Sequence, residues 1–262
     1  MTARRDPEQA RAALLAQTEH VASWLAGLDE AAWAAPSVLP GWTVSVLAGH
    51  LAGVLRSVPV LLSRVSPEAP RPLAHHFPPE YAVPDDAERD DEAAAWADAS
   101  PADVEREFGT AAAAARDALA QMSPLATVAV SRGPAAVADL LVTRVWELVV
   151  HADDLGRSVP EAAAPELDPG ALRVATRGLA DLLVARAPGR SVELRVPPYL
   201  AVQCVAGPRH TRGTPPNVIE TDPVSWLRLA CGRVRWADQV SSGVVRASGE
   251  RADLSPYLPL LG

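Results

Sequence analysis

The hydrophobic period changes once along this 262-residue chain, close to Gly189, and no other feature limits the fold as much. Before that point apolar residues recur at helical spacing. Leu14, Thr18, Val21, Leu25 and Leu28 predict a helix over residues 7–28. Thr43 stands where it can cap a second helix, whose stripe is Leu47, Leu51, Val54, Val58, Leu61 and Val65. Ser100-Pro101-x-Asp103 is a helix start with a capping serine and proline in the first turn. That helix runs on through Val104, Phe108, Ala112, Ala115 and Leu119. Another is predicted over 135–155, closed by Gly156, with Val137, Leu141, Val145 and Leu148 towards a core. Asp168-Pro169 opens one more, ending near Pro188-Gly189. Beyond Gly189 the period is two: Val192, Leu194 and Val196 alternate with Glu193 and Arg195, as in a strand. Residues 200–206, 218–221 and 244–248 read as further strands, and Asp222-Pro223 opens a short helix towards Gly232. The fold class is therefore α+β: a helical bundle over residues 1–160, a connecting helix over 161–188 and a small α+β domain over 189–262.

Composition narrows the function. With 48% hydrophobic and 21% charged residues the chain is globular rather than disordered. The net charge is −8 and all 24 basic residues are arginine, in no basic run, which argues against a nucleic-acid partner. Cys204 and Cys231 form no CxxC pair and read as small buried hydrophobes. The apolar stretch 44–65 is interrupted by His50, Arg56 and Arg64, a poor membrane span. Arg4, Arg5 and Asp6 lead into an amphipathic stretch, so a cytoplasmic protein, monomeric or homodimeric, with no membrane partner is expected.

Glu147 and His151 are four apart on one predicted helix and so share a face, with Leu140, Arg144 and Asp154 on it as well. His50 lies on a second helix beside the apolar stripe. Two histidines and a glutamate from two bundle helices would hold a divalent metal and leave a fourth position open, as catalytic zinc requires. The bland alternatives remain. An i,i+4 Glu/His pair is commonly a helix-surface ion pair, and a single His on an apolar stripe is commonly a hydrogen-bonded core residue.

Gly41-Trp42-Thr43-Val44, followed by Leu47 and His50-Leu51, resembles the mycothiol-dependent maleylpyruvate isomerase family, which belongs to the DinB-like metalloenzyme bundles. Trp146-Glu147-x3-His151 with Asp154-Leu155 is similar to that family's second metal-binding helix. The segments WLRLACGR and SSGVVRASGE, within residues 222–261, resemble its sterol-carrier-like C-terminal domain. The resemblance implies a DinB-like four-helix bundle with zinc on His50, Glu147 and His151, and mycothiol as thiol cosubstrate. Ser45-Val46 and Ala152-Asp153 depart from the family's residues beside the ligands. The metal and the thiol are therefore carried over, but not the substrate.

The expected function is metal-assisted activation of a low-molecular-weight thiol for S-transfer to, or cis–trans isomerisation of, a small electrophilic substrate. No side chain stands out as a covalent nucleophile. A zinc–water hydrolase or a non-catalytic lipid carrier of the sterol-carrier type are the rivals. Arg209 and Arg212, in the loop 207–213, and Arg233 are candidates to grip an acidic group of the cofactor, with Arg228 and Arg246 behind them. A solvated hairpin is the alternative for that loop. Arg144, Asp154, His75 and His76 are candidates for the substrate pocket. The last two lie in a proline-rich stretch, 66–84, expected to be an irregular crossover or lid. Trp42 is expected to pack as a staple at its helix entrance.

Overall fold

The computed structural model describes residues 5–82, 86–208 and 216–262. The fold is α+β, with a helical N-terminal part and a sheet-containing C-terminal part. The described residues form two compact units: 5–71 with 86–174, and 72–82 with 175–208 and 216–262.

In the first unit the bundle is made by α1 (Pro7–Leu25), α3 (Val44–Leu62), α6 (Pro101–Gln121) and α7 (Val137–Ser158), with α2 (Glu30–Ala34) in the connection before α3. α3 packs on α6 and α7, and α1 packs on α7 and α6. By length and composition α3 could cross a membrane. Its Leu47, Leu51, Leu55 and Val58 are instead fully buried, and Leu14, Phe108, Leu119, Leu141 and Leu148 are buried on the other bundle helices. The start signals act as the sequence implies. The Asp6 carboxylate accepts from Glu8 N at 3.0 Å, Thr43 Oγ1 from Val46 N at 3.3 Å, and Ser100 with Asp103 closes a capping box. Each cap satisfies a backbone donor that the helix itself leaves open.

Three details differ from the sequence expectation. α7 begins at Val137, because residues before it form a hairpin of β1 (Thr127–Val130) and β2 (Gly133–Ala136), with Gly133 at φ 102°. This hairpin is too short and alanine-rich to show alternation. It is extended by pairing at long range: Ser66 N donates to Thr127 O, Ala129 N to Arg64 O and Arg71 N to Pro134 O, each at 2.8 Å. Gly156 does not end α7, which runs to Ser158. A Cβ at Gly156 would lie 2.7 Å from the Ala164 Cβ, so this glycine serves the close crossing of the following segment. The stretch 66–84 is also not wholly irregular. It holds α4 (Leu73–His76) and a 3-10 turn, Pro79–Ala82. α5 (Asp86–Trp96) follows, and the Trp96 indole lies where a Cβ at Gly49 of α3 would be.

α8 (Pro169–Arg186) leads the chain into the second unit. There a four-stranded sheet has the order β4–β3–β5–β6, formed by β3 (Val192–Val196), β4 (Leu200–Cys204), β5 (Val218–Glu220) and β6 (Arg246–Ser248). β3 runs antiparallel to β4 and parallel to β5, which is antiparallel to β6. The alternation read from Val192 to Val196 is that of β3, whose Val192, Leu194 and Val196 are buried. α9 (Pro223–Ala230) is capped by Asp222, and α10 (Trp236–Ser241) precedes β6.

Candidate metal centre

His50 lies two turns into α3, and Glu147 and His151 lie one turn apart in the middle of α7. Packing of these two helices brings the three side chains together. Glu147 Oε2 is 3.5 Å from His50 Nε2 and 3.4 Å from His151 Nε2. One donor atom from each residue lies within 4.8 Å of the other two. A tetrahedral ion with bonds near ~2.05 Å needs donor atoms about 3.3 Å apart, so the two measured edges suit a divalent metal of zinc's size. Two imidazoles and one carboxylate are also a donor set zinc accepts. The side chains of His50, Glu147 and His151 are 25%, 35% and 10% exposed, so the group is open on Glu147's side.

The ring of His151 is held from behind. Its Nδ1 is 3.0 Å from Asp154 Oδ2, and Asp154 is fully buried. A carboxylate accepts, so Nδ1 donates to Asp154, and Nε2 is the nitrogen left for Glu147 or for a metal at the shared centre. Arg157 Nη1 stands 3.5 Å from Asp154 Oδ1. Asp154, a candidate for the substrate pocket, is fully buried, with its carboxylate against the His151 ring. Burial pulls the His151 imidazole down, but the hydrogen bonds and charges of Asp154 and Glu147 outweigh it and hold the ring above its ordinary 6.5. For Glu147 burial pushes upward, while His151 and His50 together hold the carboxyl well below the usual carboxylate range.

His50 is held by ring packing. The Trp42 indole is buried, 5.3 Å from the His50 ring centroid and tilted by 48°. The two imidazoles meet edge to face, at 5.0 Å. Trp42 reaches this place because the loop before α3 is folded back on itself. Ser37 N donates to Trp42 O at 2.9 Å, Pro36 bridges Thr43, and Gly41 makes the turn with φ 82°. The same loop is tied to α7: Val38 N donates to Ser158 Oγ at 3.0 Å, and Ser158 Oγ donates to Asp154 O at 2.7 Å. Trp42, expected as a staple at the helix entrance, therefore packs on a candidate ligand. Loop residues obey no periodicity, so its contact with His50 left no signal in the sequence.

The other candidates are placed as follows. Arg144 lies one turn before Glu147 on α7, half-buried, with Nη1 donating to Ser57 Oγ at 3.1 Å and Nε to Thr143 Oγ1 at 3.3 Å. His75 is exposed and His76 buried in α4, their rings 5.5 Å apart. Both belong to the second unit. So does Arg233, whose Nη1 donates to Cys231 O at 2.7 Å. Arg209 and Arg212 lie outside the described residues. Arg246 is exposed beside Glu220, at 3.9 Å. Both cysteines are buried, as expected, and burial pushes the Cys204 thiol up to about 11, where it is no nucleophile at neutral pH.

Two family models match the chain. That of the mycothiol maleylpyruvate isomerase N-terminal domain covers residues 14–156, and that of the bacterial SCP ortholog covers residues 168–260. Among solved structures, a crystal structure of the mycothiol-dependent maleylpyruvate isomerase is similar in fold, with 20% identity and a TM-score of 0.61. A crystal structure of a single-site mutant of the mycothiol-dependent maleylpyruvate isomerase gives 19% and 0.59. Each alignment covers 95% of this chain and 94% of the other. No curated protein matches the chain.

Proposed function

Because the chain belongs to the mycothiol maleylpyruvate isomerase N-terminal domain family, matched over residues 14–156, we propose that it is a metal-dependent enzyme that activates a low-molecular-weight thiol, of which mycothiol is the family's example. His50, Glu147 and His151 would hold the metal, with zinc the best fit to the donor set. The observation that carries this reading is the convergence of their three donor atoms, from two helices, within 4.8 Å.

A divalent cation held there supplies a positive charge that lowers the pKa of a thiol bound to it. The chain's own residues prepare that place. Asp154 fixes the His151 tautomer, Trp42 packs on His50, and Glu147 supplies the one negative charge of the donor set, so two neutral imidazoles and one carboxylate leave a dication with net positive charge. Neither cysteine can serve as the nucleophile, since both are buried. The sulfur must then come from a bound molecule.

Reversible addition of the thiol sulfur to a conjugated carbon, rotation about the resulting single bond and expulsion of the same thiol gives cis–trans isomerisation. The thiol is regenerated and no redox partner is needed. Where the attacked carbon bears a leaving group, the same attack gives S-transfer and the leaving group departs with the electron pair.

Elemental analysis of the purified protein, with His50→Ala beside it, is the test, followed by turnover of conjugated electrophiles with and without added thiol. About one equivalent of zinc in the wild type, lost in the variant, with turnover only when thiol is present, is the expected result. Turnover without thiol would point to a hydrolase, and a bound lipid with no metal in native mass spectrometry would point to a carrier. Either result sinks the reading.

A further inference from the structure

Along residues 137–152 of α7 every side chain is buried except two, Arg144 and Glu147. They are three apart and so lie one above the other on a single face. This face is where the helix opens within that stretch, and both residues there are charged. Glu147 is accounted for: its Oε2 turns to the two histidines. Arg144 is not.

A half-buried guanidinium is costly to leave uncompensated. Three part-buried arginines of this unit do meet carboxylates: Arg5 pairs with Asp139 at 2.6 Å, Arg11 with Glu8 at 2.6 Å and Arg157 with Asp154 at 3.5 Å. Arg144 meets only two neutral hydroxyls, those of Ser57 and Thr143. Among the described residues no carboxylate stands within ion-pair distance of it. The Ser57 hydroxyl donates its own proton to Val54 O at 2.6 Å and so presents its lone pairs to Arg144. The guanidinium is thereby steered, but its charge is not neutralised.

The facing margin of α3 supplies room. His50, Gly53 and Ser57 are half-exposed there, whereas Leu51, Ala52, Val54, Leu55 and Val58 are buried. A Cβ built at Gly53 would meet nothing nearer than Arg56 Nη2, at 3.9 Å. Gly53, with no side chain of its own, thus stands on this margin between the candidate ligand His50 and the Ser57 that steers Arg144. From His50 to Ser57 the rise along the helix is about 10 Å, enough for a small acid reaching from one to the other.

We propose that Arg144 is the anion-recognition residue of this site, receiving a carboxylate carried by the ligand that approaches His50, Glu147 and His151. The bidentate fit of guanidinium to carboxylate supplies orientation as well as charge. The assignment of that ligand to the reacting centre rests on the function proposed above. Carboxylate binding at Arg144 does not, because it needs no metal. The carboxylate belongs either to the electrophile or to the thiol, and kinetics separate the two.

The test uses succinate as probe and its uncharged diamide as control, with calorimetry on the metal-free and the zinc-loaded full-length protein. Wild type, Arg144→Met, Arg144→Lys and His50→Ala are compared after circular dichroism has shown that each is folded. The metal-free wild type should bind succinate and not the diamide. Arg144→Met should weaken binding at least tenfold, Arg144→Lys should recover part of it, and His50→Ala should leave it in place. Succinate binding that is equal in Arg144→Met, or that requires zinc and vanishes in His50→Ala, would overturn the inference. Failure of zinc uptake with the Arg144 dependence intact would remove the metal reading alone. In turnover, Arg144→Met should raise the KM of one substrate: the electrophile if it carries the carboxylate, the thiol if that does. A KM unchanged for both would count against the assignment.

Discussion

His151 shows how much a single residue's behaviour depends on what lies behind it. One ring nitrogen faces Glu147 and the other is held at 3.0 Å by a carboxylate with no exposure to solvent. Outer carboxylates of this kind orient a ligating imidazole and raise its basicity, and their loss commonly costs about 10–100-fold in metal affinity. Asp154→Ala should therefore weaken zinc binding by about that range, read by competition with a chromophoric chelator. An affinity equal to wild type would show that Asp154 does not position His151. The i,i+3 spacing of His151 and Asp154 was legible in the sequence and put them on one face. Spacing is silent on depth, however. Asp154 was expected in the substrate pocket, and the structure buries it fully behind His151. Glu147, His151 and Arg144 were legible in the same way, because helical periodicity alone aligns them.

At the scale of elements, the helix starts were the most readable feature. Thr43, Ser100 and Asp222 each accept from the backbone N–H three residues on, at 3.3, 3.2 and 3.0 Å. A cap is a local event between adjacent residues, so local sequence suffices to find it. Thr43 matters beyond its own helix, since it sets where α3 begins and hence where His50 points. Thr43→Ala should cost about 1 kcal/mol and Thr43→Ser much less, as measured by chemical denaturation of the two variants against wild type. Equal stability of Thr43→Ala and wild type would show the cap to be idle. The β1–β2 hairpin and the true end of α7 could not be read in this way. The hairpin depends on backbone partners at Arg64, Ser66 and Arg71, some sixty residues away in sequence. Gly156 looked like a helix stop but is a contact surface for Ala164. A glycine's reason is written in whatever approaches it.

At the scale of the whole molecule, the chain divides into two compact units, and the division is not sequential. The described residues 72–82, with His75 and His76, group with the C-terminal residues, while 86–174 belong to the bundle unit. Nothing in the composition of a proline-rich stretch says which unit will claim it. The candidate centre lies wholly in the bundle unit, so metal binding should stabilise that unit by mass action. At a free zinc concentration one hundred times the dissociation constant the gain is about 2.7 kcal/mol. That corresponds to a rise in Tm of roughly 5–10 °C for a protein of this size. The rise should be present in wild type, absent in His50→Ala and reversed by a chelator in differential scanning calorimetry. A wild-type Tm indifferent to zinc would contradict binding at the triad.

By itself the sequence determined the α+β class, the helix starts, the strand from Val192 to Val196, and the two residues of α7 that face a common centre. Those follow from periodicity and capping, which act over one or two turns. The family resemblance named His50 with Glu147 and His151, but only the tertiary structure decided the spacing of the three, that Trp42 packs on His50, that Asp154 is buried and that Arg144 is left without a carboxylate. Each of these is set by which helix packs against which, and by the depth at which a side chain ends. Pairings across roughly one hundred residues of chain are chosen by the closing of the whole core, not by any local rule.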